Sequence, residues 1–205
     1  MKKILSKILF VLVVFASNAQ AHMQHSTDEA TALLQEIRKG GYILYFRHER
    51  TNMSILDQKN FDTNDCSTQR NLSYSGVASA HEIGTHISAL NIPIGKVVSS
   101  PLCRTKETAR YLFNHYVIDE RLYGGGKSNE VKHDLLKIMQ ELDVRNKNAA
   151  VVAHLGNFYR LFGVRLQEGD AAIVKIVDGQ AKHIGTLRSN QWNDFIIDNQ
   201  FAHKN

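Results

Sequence analysis

Residues 42–46, Tyr42-Ile43-Leu44-Tyr45-Phe46, form a nearly continuous apolar run that stops abruptly at the polar string Arg47-His48-Glu49-Arg50-Thr51. A strand apolar at successive positions is buried on both faces, which calls for a sheet covered by helices on each side. Ala149-Ala150-Val151-Val152-Ala153 repeats the pattern and is followed by His154. The shorter run Lys96-Val97-Val98-Ser99 is broken by Ser100-Pro101, and Arg104 follows three residues later.

Helical patterns separate these strands. Asp28 to Lys39 is a helix capped by Thr27 or Asp28 and ended by Gly40-Gly41. Ser73 to Leu90, Leu102 to His115 and Asn129 to Leu142 read as further helices, the last with apolar residues at amphipathic spacing. Residues 52–71 are polar and rich in Asn and Asp, which predicts a long loop. Ala171 to Val177 and His183 to Leu187 read as a closing strand pair around Asp178-Gly179. Strands alternating with helices predict a three-layer α/β/α sandwich with a mostly parallel central sheet. In such a sheet the carboxyl ends of the strands carry the ligand site. That places Arg47, His48, Arg104 and His154 on one edge.

The chain has 205 residues, which suits one domain. Its beginning reads separately. Lys2, Lys3 and Lys7 precede an apolar run from Ile8 to Ala16, and Ala19-Gln20-Ala21 supplies a small-x-small cleavage pattern. We expect a signal peptide over residues 1–21, a mature domain over 22–205, and a periplasmic or secreted location. The run is shorter than the roughly 20 residues a membrane span needs, so no stable span is expected after cleavage. Removing three lysines from 25 basic residues leaves 22 against 20 acidic ones. With no basic block along the chain, nucleic acid is not an expected partner. The two cysteines, Cys66 and Cys103, both fall in the mature part, and export favours a disulfide between them over two buried thiols.

Two arginines and two histidines in one pocket suit a tetrahedral dianion, because guanidinium groups bind phosphate oxygens in pairs. Neutral imidazole is a competent nucleophile toward phosphorus near neutral pH. The histidines show no metal-ligand spacing; His81 and His86, five apart, fall on different helix faces.

The motifs carry a resemblance. "YFRHERT" resembles the Arg-His-Gly signature of the histidine phosphatase superfamily. "SSPLCRTKETA" is similar to its second arginine motif, and "VVAHLGN" to its strand-then-histidine motif. "DCSTQRNLSYSG" is similar to the segment before the second helix in exported members. The resemblance covers most of residues 40–177 and implies a phosphoglycerate mutase-like fold. It implies that His48 takes up the phosphoryl group, that Arg47 and Arg104 hold its oxygens, and that His154 stabilises it. Neither cofactor nor metal is implied, since arginines supply the positive charge. The signature's glycine is Glu49 here, a carboxylate that either repels phosphate or turns away toward a base such as Arg50. Asp170, in "LQEGDAAIV", is the expected proton donor to the leaving group, with Glu120 and Glu49 as alternatives. Arg50 and Asn157 are expected to add substrate contacts, with solvent exposure for Arg50 and helix capping for Asn157 as the alternatives.

These features predict an exported, metal-independent phosphatase acting on a small phosphorylated substrate such as a sugar phosphate. One specific form is a heptose phosphatase of the lipopolysaccharide core, through the similar size, export signal and "IDERL" region. The alternative is an inactive phosphate-binding protein of the same fold.

Overall fold

The computed structural model describes residues 28–192. The expected signal peptide over residues 1–21 lies outside them. Residues 28–37 form helix α1, whose Ala30, Leu33, Leu34 and Ile37 are buried. In chain order follow β1 (Ile43–Arg47), α2 (Tyr74–Ala89), β2 (Ile94–Ser99), α3 (Cys103–Phe113), β3 (Val117–Ile118), α4 (Ser128–Glu141), β4 (Asn148–Ala153), α5 (Leu155–Phe162), β5 (Ala171–Val177) and β6 (Gln180–Leu187). Short 3-10 turns occupy Cys66–Thr68 and Glu120–Tyr123.

The six strands form one sheet in the order β3-β2-β4-β1-β5-β6. β3, β2, β4 and β1 run parallel, β5 runs antiparallel to β1, and β6 runs antiparallel to β5. Side chains alternate between its faces, as the two-residue strand period requires. Leu44, Phe46, Val97, Ala150 and Val152 pack with Ile37, Ile83, Ile87, Leu112 and Trp192 from the α1, α2 and α3 side. Ile43, Tyr45, Val98, Ala149 and Val151 pack with Leu135, Ile138, Met139 and Phe158 from the α4 and α5 side. The expected three-layer α/β/α sandwich is therefore present, and its two cores explain the continuous apolar runs Ile43–Phe46 in β1 and Ala149–Ala153 in β4.

Local chemistry sets the element ends. The Ser73 side chain accepts from the Gly76 amide at 3.1 Å and starts α2. A Cβ on Gly76 would lie 2.1 Å from the Arg50 carbonyl oxygen, so α2 approaches the segment after His48 only through glycine. Asn114 and Gly163 end α3 and α5 in the left-handed conformation. Asp178 and Gly179, both at positive φ, form the two-residue turn between β5 and β6.

The structure adds to the sequence reading in three places. β6 begins at Gln180, β2 begins at Ile94, and β3 is a two-residue exposed strand with no readable period. Among the described residues no helix is long and apolar enough to cross a membrane.

Candidate active site

The parallel register aligns the strand ends that matter. Arg47 pairs with Ala153, and Ser99 with Val152. The His48 amide donates to the Ala153 carbonyl at 3.0 Å, and the Ser100 amide to the Val152 carbonyl at 3.0 Å. His48, Ser100 and His154 thus leave three neighbouring strands at one edge. The His48 and His154 rings sit 5.5 Å apart, centroid to centroid.

His48 is 3% exposed. Its Nδ1 lies 2.9 Å from the Glu49 carbonyl oxygen. A carbonyl only accepts, so Nδ1 carries the proton and Nε2 keeps its lone pair. Burial pushes the imidazole down to about 3, and the charges of Arg104, Arg47 and Arg70 push the same way. His48 is therefore a neutral imidazole with Nε2 unprotonated at neutral pH, the form a nucleophile needs. His154 caps the start of α5, its Nε2 lies 2.9 Å from Ser100 Oγ, and its carbonyl accepts from the Tyr45 hydroxyl at 2.7 Å. Burial and then the neighbouring His48 and arginines hold it well below the usual imidazole range.

Three guanidinium groups surround this pair. Arg104 is buried, and its Nη1 donates to Asp57 Oδ1 at 3.0 Å and, more weakly, to the Arg70 carbonyl at 3.4 Å. Arg47 donates to the Leu166 carbonyl at 2.8 Å and to Glu168 Oε1 at 3.4 Å. The Nε atoms of Arg47, Arg70 and Arg104 are buried with no hydrogen-bond partner among the described residues. Buried polar donors are normally satisfied. Three unsatisfied guanidinium edges beside one imidazole are what a bound oxyanion would satisfy. Nothing in the sequence alone marks Arg70, one basic residue in a polar loop. The cysteine pairing places it: Cys66 is bonded to Cys103, with Cα atoms 5.7 Å apart, which brings the 66–70 segment against Arg104. Gln69 adds to this link, its Oε1 accepting from the Cys103 amide at 2.9 Å.

No protein-family model and no curated protein matches the sequence. Solved structures do match. The protein histidine phosphatase SixA complexed with tungstate is 15% identical, with a TM-score of 0.54 over 73% of this chain and 97% of that one. A phosphoserine phosphatase variant from Entamoeba histolytica, in complex with phosphoserine, is 15% identical, with a TM-score of 0.54 over 73% of this chain and 98% of that one. A putative α-ribazole-5′-phosphate phosphatase from Escherichia coli is 16% identical, with a TM-score of 0.53 over 69% of this chain and 93% of that one. The chain has the histidine phosphatase fold.

Within that fold, Arg47, His48, Arg104 and His154 converge as the sequence predicts. Other candidates sit differently. The Arg50 side chain is exposed. Asn157 is fully buried and donates to the Leu122 carbonyl at 3.2 Å, so it holds the 120–124 turn; the α5 cap is His154. Asp170 is 2% exposed and its carboxylate is engaged, accepting from Arg188 Nη1 at 2.6 Å and from the Gln167 amide at 2.8 Å. Its backbone carbonyl accepts from the Arg47 amide, so the chain passes the site while the carboxylate is occupied by Arg188 and the Gln167 amide.

The Glu49 carboxylate is engaged as well. Its Oε1 accepts from the Ser79 hydroxyl at 2.8 Å and its Oε2 from the Arg50 amide at 3.2 Å. A Cβ on Gly169 would fall 2.4 Å from Glu49 Oε1, so glycine at that position makes room for the carboxylate. Burial raises the Glu49 carboxyl pKa. Glu120, two residues after β3 at the start of the 120–123 turn, is exposed and has no hydrogen-bond or ion-pair partner among the described residues. Glu168, also unpredicted, lies 4.0 Å from His48 Nδ1 and accepts from Thr51 Oγ1 at 3.2 Å. It faces the protonated nitrogen rather than the free one, which suits a residue that orients Arg47 and His48. Among the described residues no cluster of His, Cys, Asp and Glu is arranged to hold a metal.

Proposed function

We propose that this protein is an exported phosphatase that hydrolyses phosphomonoesters through a phosphohistidine at His48, without a metal. The observation that carries the reading is the neutral His48, its Nε2 free beside three guanidinium groups with unpaired buried Nε donors. The solved neighbours that are phosphohistidine, phosphoserine and α-ribazole phosphatases support the same chemistry. Export is supported by the basic and apolar start of the sequence and by the Cys66–Cys103 bond, a pairing that oxidising compartments permit.

The steps follow from the residues. A phosphate dianion binds on Arg47, Arg70 and Arg104. His48 Nε2 attacks phosphorus in line, an N–P bond forms, and the ester P–O bond breaks. The guanidinium groups neutralise charge on the transferring oxygens, the role a metal plays elsewhere. His154 faces the same group and donates to it. The leaving oxygen takes a proton from Glu120, the candidate acid whose carboxyl is unengaged. Water, deprotonated by Glu120, then attacks phosphorus, breaks the N–P bond and releases inorganic phosphate.

A turnover assay with p-nitrophenyl phosphate in excess EDTA tests this. The expected result is hydrolysis that persists in the chelator and is blocked by tungstate. Tungstate binding without any turnover would instead mark an anion-binding protein, and loss of activity to EDTA alone would rule out the metal-free mechanism.

A further inference from the structure

The segment after the nucleophile motif displays apolar side chains at the edge of the site. Met53, Ile55 and Leu56 are 64%, 53% and 70% exposed. Scattered single apolar residues on a surface need no explanation, but a cluster beside a charged pocket does. These three lie within four consecutive residues, and both ends of the segment are pinned to site arginines. Arg70 Nη1 lies 3.1 Å from Met53 Sδ, and Arg104 Nη1 lies 3.0 Å from Asp57 Oδ1. The segment is also shaped. The Asn52 side chain accepts from the Ser54 amide at 3.1 Å and its carbonyl from the Ile55 amide at 3.2 Å, closing a turn that holds the apolar side chains outward. Phe61, later in the same loop, and the half-exposed Tyr123 have rings 6.2 Å apart and link this loop to the turn that carries Glu120.

We propose that the site takes an amphiphilic phosphomonoester, its phosphate on Arg47, Arg70 and Arg104 and its aliphatic chain across Met53, Ile55 and Leu56. The inference rests on the phosphate-binding reading above and names the substrate class of that same site. Charge complementarity fixes the head group: a dianion fits three guanidinium groups. The rim fixes the rest, because the hydroxyls of a bare sugar would face methyl and thioether groups there. An alkyl chain would cover that surface and remove apolar area from water on both sides.

Calorimetric titration of the full mature chain with octylphosphonate and ethylphosphonate, both below micellar concentration, tests it. The two probes share a head group and differ only in chain length. The octyl compound is expected to bind at least about tenfold more tightly. In the double variant Ile55→Ser, Leu56→Ser that preference is expected to fall to within about twofold. Both side chains are more than half exposed, so the variant keeps its core, which its melting temperature checks. Equal binding of the two probes by the wild type, or an undiminished preference in the variant, overturns the proposal. Turnover of p-nitrophenyl phosphate in parallel keeps the two readings apart. Turnover with no chain-length preference sinks only the amphiphile, whereas chain-length preference with no turnover sinks only the phosphatase.

Discussion

Glu49 stands where the histidine phosphatase signature has glycine, and its carboxylate is buried against Ser79 and the Arg50 amide rather than aimed at the phosphate. A buried carboxylate whose pKa is raised holds its proton longer in the folded chain than in the unfolded one. As pH rises above the ordinary carboxyl range, the unfolded chain gains by ionising and stability falls. Glu49→Gln removes that cost, and its amide can still donate to Ser79 Oγ while its oxygen accepts from Arg50. We predict that the variant is more stable than the wild type at pH 7 and that the gain disappears near pH 4, read by urea unfolding. Turnover is predicted to stay within about threefold, because neither oxygen faces the pocket. At this scale the sequence showed Arg47, His48, Arg104 and His154, each following a readable strand. It hid Arg70, and it hid the partners that occupy Asp170 and Asn157, because Arg188 and Leu122 meet them only after folding.

Among the elements, the loop between β1 and α2 has little secondary structure yet reaches the site directly. It supplies Asp57 and Arg70, and the Cys66–Cys103 bond closes it onto the first residue of α3. A closed loop of this length stabilises by roughly 3–4 kcal/mol through lost unfolded-chain entropy. We predict that Cys66→Ser, Cys103→Ser loses about that much in urea unfolding. Its KM is predicted to rise more than its kcat falls, since Arg70 and Arg104 lose their alignment for ground-state binding. Unchanged KM in a folded double variant would mean that the bond does not align them. β1, β4 and the DG hairpin were legible because burial on both faces and turn chemistry leave marks in sequence. β3, with two exposed residues on the sheet edge, leaves none.

For the whole molecule, the sandwich is specified by strands that must be covered twice, and covering them brings two imidazoles into a buried, cationic edge. Both His48 and His154 are held below their ordinary range. The sign follows directly. Below about pH 6.5 the unfolded chain protonates these histidines while the folded one does not, so acidification destabilises the fold. For His48, pushed down to about 3, the loss is roughly 2 kcal/mol between pH 6.5 and 5. We predict that unfolding free energy falls across that interval and that folded His48→Gln falls less steeply. Burial lowers these values first, and the arginines that would bind phosphate lower them further, so the groups proposed for the function also contribute to this acid sensitivity.

The central claim is that phosphorus passes through a bond to His48. Rapid acid-free quenching during turnover of p-nitrophenyl phosphate, followed by peptide mass spectrometry, measures it. The account predicts a phosphoryl group on the peptide that carries His48, labile in acid and stable in base, and neither phosphopeptide nor turnover in folded His48→Ala. A phosphoryl group on another residue, or His48→Ala turning over near the wild-type rate, would contradict it.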